Sequence, residues 1–497
     1  MLTLFLLLPL GGAAMLAVTP EARKEEARWI ALIFSSLAFA VSAVIFVRFL
    51  LALHSDSGVD GYLFVDRFTW INARDAGFDV QYFLGVDGLS APLVLLTGLL
   101  SLAAVLISWR VELRVREYFM WLLVLETAVA GVFMSLDLIQ FFLFWELELL
   151  PMYMLISIWG SGRKEYSAMK FLLFTITGSA FMLVAFLVLG LTSDPATFDI
   201  ERLTASPPTA TIVPLSLVFW AVMVAFLVKL PVFPLHTWLP DAHTDAPTAV
   251  SVLLAGVLLK MGGYGILRIA LPLLPGEARD FRYVLAAIAA VSVVYGAILT
   301  LRQTDLKRLI AYSSVSHMGY VLLGVATMGA VGMSGAAMQM FTHGTITGLL
   351  FITVGLVYDR THTREIPEMG GLMHRMPLIG VVMLLAGLAS LGLPLLSGFV
   401  AEVTVFLGAI GEHPAATIAA VFGVVLAAGY ILWAMERVFM GPPVERWANL
   451  TDATAWWERL AMGGMVVSIV AVGIFPRILT DAVESGIAPI AAIVGAP

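Results

Sequence analysis

Apolar stretches of about 20 residues recur along the whole chain, and they limit its possible folds more than any other feature of the sequence. An α-helix needs roughly 20 apolar residues to cross about 30 Å of hydrocarbon. The 497 residues are 60% apolar and 13% charged, and the mean hydropathy is +0.96. These values lie far outside the range of soluble globular domains. We therefore expect an all-α integral membrane protein.

The hydropathy pattern predicts about fourteen transmembrane helices. The N-terminal stretch MLTLFLLLPLGGAAMLA lacks the basic start of a signal peptide, so we interpret it as the first membrane helix. The predicted helices lie near residues 2–18, 29–52, 88–109, 118–134, 137–159, 168–192, 212–236, 247–270, 283–302, 309–327, 331–357, 377–407, 414–440 and 458–479. An even number of crossings places both termini on the same side of the membrane.

The distribution of basic residues predicts which side that is. Of the 28 lysines and arginines, 18 fall in the loops after odd-numbered helices and 8 in the loops on the other side. Cytoplasmic loops carry the excess of positive charge, so both termini are expected on the non-cytoplasmic side. The two basic residues that remain, Lys229 and Lys260, lie within apolar stretches.

Cysteine is absent from the sequence, which excludes disulfides and thiolate-held iron–sulfur clusters in this chain. Any electron transfer linked to this protein is therefore expected in other chains. The sequence carries no nucleic-acid-binding signature.

Several ionisable side chains join the two lysines inside predicted membrane helices. Such groups cost several kcal/mol near the bilayer centre unless they are paired or hydrated, so a set of them usually marks an ion or proton path. The alternative for each residue is a position near a helix end, or a hydrogen bond to a neighbouring backbone group. The candidate residues are Glu126, Glu146, Glu148, Lys229, Lys260, His317, His343 and Glu402.

Two of these residues lie beside predicted helix breaks. In FLVKLPVFPLHTWLPDAH, Pro231 and Pro234 lack an amide hydrogen and crowd the preceding turn, so helix seven should break beside Lys229. In ASLGLPLLSGFVAEVTVF, Pro394 and its flanking glycines precede Glu402 and predict a similar break in helix twelve. Broken backbone inside a membrane must be satisfied by protein or water, which favours a hydrated cavity at both places. A purely structural kink is the alternative for either motif alone.

The spacing of the charged residues also indicates an internal repeat. Glu146 and Lys229 are 83 residues apart, and His317 and Glu402 are 85 apart. Because the two copies are offset by five helices, an odd number, they would run in opposite directions, which is the inverted-repeat plan of many transporters. We predict four units: N-terminal helices over 1–110, a first repeat over 118–270, a second over 283–440 and a C-terminal helix over 458–497.

The adjacent acids Glu146 and Glu148 point about 200° apart on a helix, so they cannot share one face. We expect Glu146 to lie near Lys229 on the internal path, with Glu148 and Glu126 in secondary roles. A charge moved near Lys229 would change how firmly that lysine holds its proton, and the proton would pass to Lys260. Histidine is suited to relay it further, although a lone membrane histidine is more often a packing or hydrogen-bonding residue.

Several motifs resemble one family closely. The motifs are FWELELLPMYMLISIWG, VKLPVFPLHTWLPDAHTDAP, LLAGVLLKMGGYGILR, QTDLKRLIAYSSVSHMGY, MFTHGTITGLLF, LPLLSGFVAEVTVF and YILWAMERVFMG. Together they resemble, in order over about residues 80–440, the antiporter-like subunits of respiratory complex I, NADH-quinone oxidoreductase, of the subunit M or chain 4 type.

The resemblance implies fourteen helices with two inverted five-helix repeats, and a role in proton translocation driven by quinone reduction in other subunits. It implies an enzyme only in the sense of a translocase subunit without its own redox centre. The implied path residues are Glu146 of helix five, Lys229 of helix seven, Lys260 of helix eight, His317 and His343 of helices ten and eleven, and Glu402 of helix twelve.

The resemblance also implies partners and a location. NADH or ferredoxin, FMN, iron–sulfur clusters and quinone are expected in partner subunits, with no cofactor in this chain. The partners would be L-type and N-type antiporter-like subunits and small membrane subunits. The expected location is the bacterial inner membrane, with the thylakoid membrane as the alternative.

Two departures leave details open. WELEL and YDRTHT look more like the cyanobacterial and chloroplast subunit, which leaves the electron donor open between NADH and ferredoxin. LPLLSG lacks the commoner glycine after its proline, which affects the geometry of the second break. A subunit of a multisubunit sodium/proton antiporter remains the alternative function, and co-purifying redox subunits would distinguish the two. A structural scaffold is disfavoured by the intramembrane lysines.

Overall fold

The computed structural model describes residues 1–55, 61–73, 78–207 and 211–495, and it is a bundle of helices with one β-hairpin. The helices are α1 (Leu2–Val18), α2 (Lys24–Leu53), α3 (Ser90–Ile107), α4 (Val115–Met134), α5 (Leu138–Trp159), α6 (Lys164–Thr192), α7 (Ile200–Ala205), α8 (Leu215–Lys229), α9 (Trp238–Asp245), α10 (Thr248–Leu273), α11 (Pro275–Asp280), α12 (Arg282–Leu301), α13 (Leu306–Ala326), α14 (Ala330–Thr361), α15 (Pro377–Ser390), α16 (Ser397–Ala409), α17 (Pro414–Val438), α18 (Trp456–Ile474) and α19 (Arg477–Gly495). Short 3-10 turns occupy Ile366–Glu368, Leu372–His374 and Glu445–Trp447.

The predicted helical membrane fold is confirmed. Within the described residues, 12 helices are long and apolar enough to span a bilayer, and four shorter apolar helices, α1, α8, α15 and α16, have 10–17 residues. The predicted number of fourteen crossings remains a prediction, as do the four predicted units. The last unit, over 458–497, ends two residues beyond the described part of the chain.

Both predicted breaks are present. α8 ends at Lys229 and α9 begins at Trp238, and the intervening residues 230–237 include Pro231 and Pro234. α15 ends at Ser390 and α16 begins at Ser397, with Pro394 between them. Proline interrupts the i→i−4 hydrogen-bond ladder in each case.

Three helices form the centre of the bundle. The apolar windows of α10 and α14 are buried along their full length, and that of α13 almost fully. A helix that is apolar on every side belongs in the interior, and these three carry Lys260, His343 and His317. The candidate residues therefore lie on the most enclosed elements.

The β-hairpin was not anticipated from the sequence. β1 (Leu63–Ala73) pairs antiparallel with β2 (Phe78–Val86), with Arg67 opposite Phe83 and Thr69 opposite Gln81. The strands are rich in aromatic and β-branched residues, which suit a half-buried pleated surface. A search for apolar stretches of 20 residues passes over such short alternating segments.

The C-terminal region contains two helices where one was predicted. α18 ends at Ile474, and α19 follows from Arg477 and packs against α14. A Cβ on Gly88 would lie 1.8 Å from the Ala482 carbonyl oxygen, so glycine allows the start of α3 to touch α19 directly. The contact fixes α19 beside the central helices.

Candidate functional site

A buried ion pair lies at the first helix break. The Lys229 Nζ donates to Glu148 Oε1, and the two side chains are 1% and 0% exposed. The ammonium also lies 5.2 Å from the centre of the Trp145 ring and 5.5 Å from that of Phe171, within cation–π range. One carboxylate and two aromatic faces thus compensate the buried cation.

The predicted pairing of Lys229 with Glu146 is wrong, because Glu148 occupies that place. Glu146 is half-buried and lies beside the Ser179 hydroxyl of α6, although the charge of Lys229 still reaches it. The two acids do point to different sides, as the helical spacing requires. Pro151 crowds the carbonyl of Leu147 and coincides with a local turn at Glu148, so the acid projects from an interruption in α5.

The broken backbone beside Lys229 is satisfied by protein groups. The Trp238 indole Nε1 donates to the Val228 carbonyl over 2.9 Å, and the Phe233 amide donates to Ser292 Oγ over 2.9 Å. A Cβ on Gly262 would lie 2.5 Å from the Phe226 carbonyl oxygen, so glycine lets α10 approach the break closely. The break is therefore a fixed feature against which α10 packs.

Lys260 lies on α10, fully buried. Its Nζ donates to the Ala255 carbonyl, and 2.7 Å separates it from His343 Nδ1 on α14. Ala255 belongs to a π-helical turn, Leu254–Leu258, whose wider winding leaves carbonyls free for side chains. Within the described residues, no direct hydrogen bond joins Lys260 to Lys229.

Two histidines connect Lys260 to the second break. The rings of His343 and His317 are 5.5 Å apart between centres, and His317 Nδ1 lies 3.3 Å from Glu402 Oε1. His317 Nε2 lies 3.1 Å from the hydroxyl of Ser390, the last residue of α15. The buried line from Lys260 to Glu402 thus brings successive groups close together, but the two imidazoles are separated by a gap and the His317–Glu402 contact lacks hydrogen-bond geometry.

That gap borders a small polar cavity. Its volume is about 10 Å³, and its lining includes His317, His343, Ser390 and Glu402. A volume of about 10–15 Å³ with several polar partners is enough for one water molecule. The cavity can therefore hold one water beside the two imidazoles and the carboxylate.

Glu126 lies apart from this line. The residue is buried in α4, and neither of its carboxylate oxygens has a hydrogen-bond partner among the described residues. The structure therefore brings together Glu148, Lys229, Lys260, His343, His317 and Glu402 along the interior, with Glu146 beside the first pair.

Among the buried basic groups that the sequence did not reveal, three lie within α9, α10 and α13. His243 is fully buried in α9 and stacks on Phe351 with 4.5 Å between ring centres. Lys307 and Arg268, both assigned to interfaces, are buried: Lys307 donates to the Ala246 carbonyl, and Arg268 pairs with Asp87 over 2.6 Å. The motif HTWLPDAH places His243 in α9, which continues the broken helix, so its burial could have been predicted. Lys307 and Arg268 lie near the ends of predicted helices, where hydropathy does not distinguish a buried side chain from one at the membrane surface.

A charged vestibule lies beside His243 on the side predicted to be cytoplasmic. The cavity has a volume of about 240 Å³ and is lined by Arg110, Lys307, Asp359 and Arg364 and by the start of α10. His243 lies within electrostatic reach of both Lys307 and Lys260.

Comparison with known proteins gives a consistent result. Residues 135–427 match the family model described as "NADH:quinone oxidoreductase/Mrp antiporter, TM". The chain is 40% identical over 489 residues to NAD(P)H-quinone oxidoreductase chain 4 2 of Thermosynechococcus vestitus, covering 97% of this chain and 90% of that protein. It is also 40% identical over 502 residues to NADH-quinone oxidoreductase subunit M of Rhodobacter capsulatus, covering 98% and 96%.

A solved structure is similar over its entire length. A chain of respiratory complex I from Thermus thermophilus with bound NADH superposes with a TM-score of 0.89 at 30% identity, covering 100% of both chains. The ion pair of Glu148 and Lys229 and the four residues of the line from Lys260 to Glu402 all fall within the region matched by the family model, whereas Glu126 lies outside it.

Proposed function

Since the chain belongs to the NADH:quinone oxidoreductase/Mrp antiporter family of membrane subunits, we propose that it translocates protons within a complex I-type NAD(P)H or ferredoxin:quinone oxidoreductase. The observation that carries this proposal is the buried line from Lys260 through His343 and His317 to Glu402. Ionisable groups are retained inside a membrane bundle at a high energetic cost, and a proton path explains that cost.

The first pair acts as the input of the path. While Glu148 faces Lys229, the carboxylate stabilises the ammonium. If Glu148 is protonated or drawn away, Lys229 is left as an unpaired buried cation, which is strongly unfavourable. The lysine then releases its proton toward Lys260 on α10, the helix that packs closely against this break.

The remaining residues pass the proton onward. Protonated Lys260 donates to His343 Nδ1 across 2.7 Å. His343 transfers to His317 through one water in the small cavity, and His317 Nδ1 hands the proton to Glu402. Glu402 lies at the second break, where interrupted backbone gives the carboxylate a route out of the bundle.

The sidedness of the path follows from the basic loops. Both termini lie on the non-cytoplasmic side in this proposal, and the vestibule lined by Lys307 takes up protons from the cytoplasm. The membrane is the bacterial inner membrane or, for a cyanobacterial enzyme, the thylakoid.

Electron transfer belongs to partner subunits. The proposed partners are L-type and N-type antiporter-like subunits and small membrane subunits, with FMN, iron–sulfur clusters and quinone bound elsewhere in the assembly. This chain then contributes proton-transfer groups only.

The proposal is tested on the native assembly, purified with its partner subunits and reconstituted into vesicles. Lys229→Ala should abolish most quinone-coupled proton uptake and slow quinone reduction, while the assembly still forms. Lys24→Ala is the matched control, because Lys24 is an exposed cation that pairs with Glu112 at the surface. Normal pumping by an assembled Lys229→Ala complex would refute the assignment, and sodium/proton exchange without redox subunits would indicate the alternative function.

A further inference from the structure

An apolar groove of about 570 Å³ runs between α2, α3 and α18. α3 lines it with Leu95, Leu99, Leu102 and Leu106, whose spacing places them on one helix face. Phe341 of the central helix α14 forms part of its floor. The groove volume lies within the range of about 300–1,000 Å³ typical of small-molecule pockets.

A single charged residue lines this groove among the described residues. Arg459 lies in the first turns of α18 and donates from Nε to the Ala453 carbonyl over 3.0 Å. The bond holds an exposed guanidinium at one mouth of the groove. The rest of the groove is apolar except for the hydroxyl of Ser468. Such a distribution matches an amphipathic ligand with a negative head and an apolar tail.

An aromatic cluster marks the depth of Arg459 in the membrane. The ring centres of Trp29 and Trp456 are 6.3 Å apart, and those of Trp109 and Trp457 are 5.7 Å apart. Tryptophans concentrate at the level of the lipid headgroups. Arg459 lies two residues after Trp457 in the first turns of α18, so its guanidinium is within reach of phosphate.

The length of the groove corresponds to a lipid chain. Its α18 wall extends from Arg459 to Val472, which is about 20 Å at 1.5 Å per residue. An extended acyl chain of that length fits along the groove, and the guanidinium at its end favours a lipid with an anionic head over an apolar helix of another subunit.

We propose that the groove binds an anionic phospholipid, with its phosphate at Arg459 and one acyl chain between α3 and α18. α3 and α18 also pack directly against each other, so the acyl chain covers the apolar groove along their contact. Phe341 and His343 are two residues apart and point about 200° apart on α14, so the lipid lies on the side away from the proton path.

The test uses the purified assembly in nanodiscs of phosphatidylcholine with a small fraction of phosphatidylglycerol carrying a photoactivatable acyl chain. After irradiation, labelled peptides are mapped by mass spectrometry, and labelling of the exposed face of α17 serves as the background. Residues 460–472 and 95–106 should be labelled above that background. Unlabelled phosphatidylglycerol should compete about fivefold better than phosphatidylcholine, as expected for one basic side chain near an anionic headgroup.

Two pairs of variants separate the headgroup from the chain. Arg459→Gln should remove the preference for phosphatidylglycerol, whereas Arg437→Gln, at an exposed arginine outside the groove, should not. Gly463→Phe should abolish groove labelling, because a Cβ there meets nothing within 4 Å and the ring can extend into the groove. Gly429→Phe, at an exposed glycine of α17, should leave it unchanged.

Three outcomes would overturn the proposal. Equal competition by phosphatidylcholine would identify ordinary surrounding lipid, and unchanged labelling in Gly463→Phe would place the label elsewhere. A cross-link from the groove residues to a partner polypeptide, with no lipid adduct on them, would show that a protein segment occupies the groove.

Discussion

At the scale of single residues, two neighbouring acids have different environments. Glu148 is completely buried against Lys229, whereas Glu146 is half-buried on another side of α5. Breaking a buried ion pair by removing one partner costs about 3–5 kcal/mol, because the other charge is left uncompensated. The chemical importance of these residues therefore follows from packing, since their residue types are identical.

We expect Glu148→Gln to reduce quinone-coupled proton uptake at least about tenfold, because a loss of about 1.4 kcal/mol or more in charge stabilisation at Lys229 corresponds to that factor. Glu146→Gln is the matched control and should retain most activity. Proton uptake per quinone reduced, measured in vesicles, decides between them. A larger loss of proton uptake in Glu146→Gln than in Glu148→Gln would show that Glu146, the acid predicted from the sequence, belongs to the path.

Another acid, Asp137, lies just before α5, outside the membrane helices, and joins the β-hairpin to the start of that helix. Asp137 accepts hydrogen bonds from the amides of Ile139 and Gln140, which caps α5, and from the amide of Gln81 in β2. Burial raises the pKa of Asp137 to about 6, with the nearby charge of Asp199 adding to the effect against these hydrogen bonds. The folded chain therefore binds the proton of Asp137 more tightly than the unfolded chain does.

This raised pKa predicts a pH-dependent stability. The contribution of Asp137 is complete below its unfolded pKa of 3.8 and is lost as the pH rises through about 6, which amounts to about 3 kcal/mol. Asp137→Asn keeps a capping oxygen and should flatten the fall in the thermal midpoint of the assembly between pH 5 and 7.5. Asp66→Asn is the control. Burial raises the pKa of Asp66, but hydrogen bonds from Thr3 outweigh burial and hold this pKa below its usual range, which is below the pH interval of the test. An unchanged slope in Asp137→Asn would contradict the assignment.

At the scale of elements, the second break depends on backbone conformations that favour glycine. Gly392 has φ of +77°, and a Cβ there would lie 2.8 Å from Glu402 Oε2. Leu395 occupies the position after Pro394 with φ of 73°, although left-handed backbone costs a side chain about 1 kcal/mol. The departure from the commoner glycine is thus accommodated by an exposed leucine in a conformation that glycine would adopt more easily.

Gly392→Ala should displace the Glu402 carboxylate from His317 and lower proton uptake several-fold. Gly441→Ala provides the matched control, since Gly441 also has positive φ (+97°) but a Cβ there meets nothing within 4 Å. Both variants carry the same backbone cost, so comparable pumping in assembled complexes would show that the Gly392–Glu402 contact does not matter.

At the scale of the whole molecule, the contact between Lys260 and His343 joins the two predicted repeats. α10 belongs to the first predicted repeat and α14 to the second, and both are buried over their full length. The proposed proton path therefore crosses between the predicted halves at one hydrogen bond of 2.7 Å. Any movement of one half against the other would change this distance.

A double-mutant cycle on Lys260→Met and His343→Leu should reveal coupling of about 0.5–3 kcal/mol in the thermal stability of the assembly, because the two side chains are in contact. His413 is a suitable control partner for Lys260, since it is a buried histidine bonded to the Ala326 carbonyl elsewhere in the second half. The Lys260→Met and His413→Leu changes should be additive. If the stability effects of Lys260→Met and His343→Leu were additive, the proposed contact between the two halves would be refuted.

The sequence by itself determined the membrane fold, the two helix breaks and the set of intramembrane charges. Hydrophobic length, proline chemistry and the cost of burying charge are local properties, so they can be read from the order of residues. The tertiary structure alone decided that Glu148 and not Glu146 meets Lys229, that His243, Lys307 and Arg268 are buried, and that short strands precede α3. Those outcomes depend on which helix faces which, and helix facing is set by packing between segments distant in the chain.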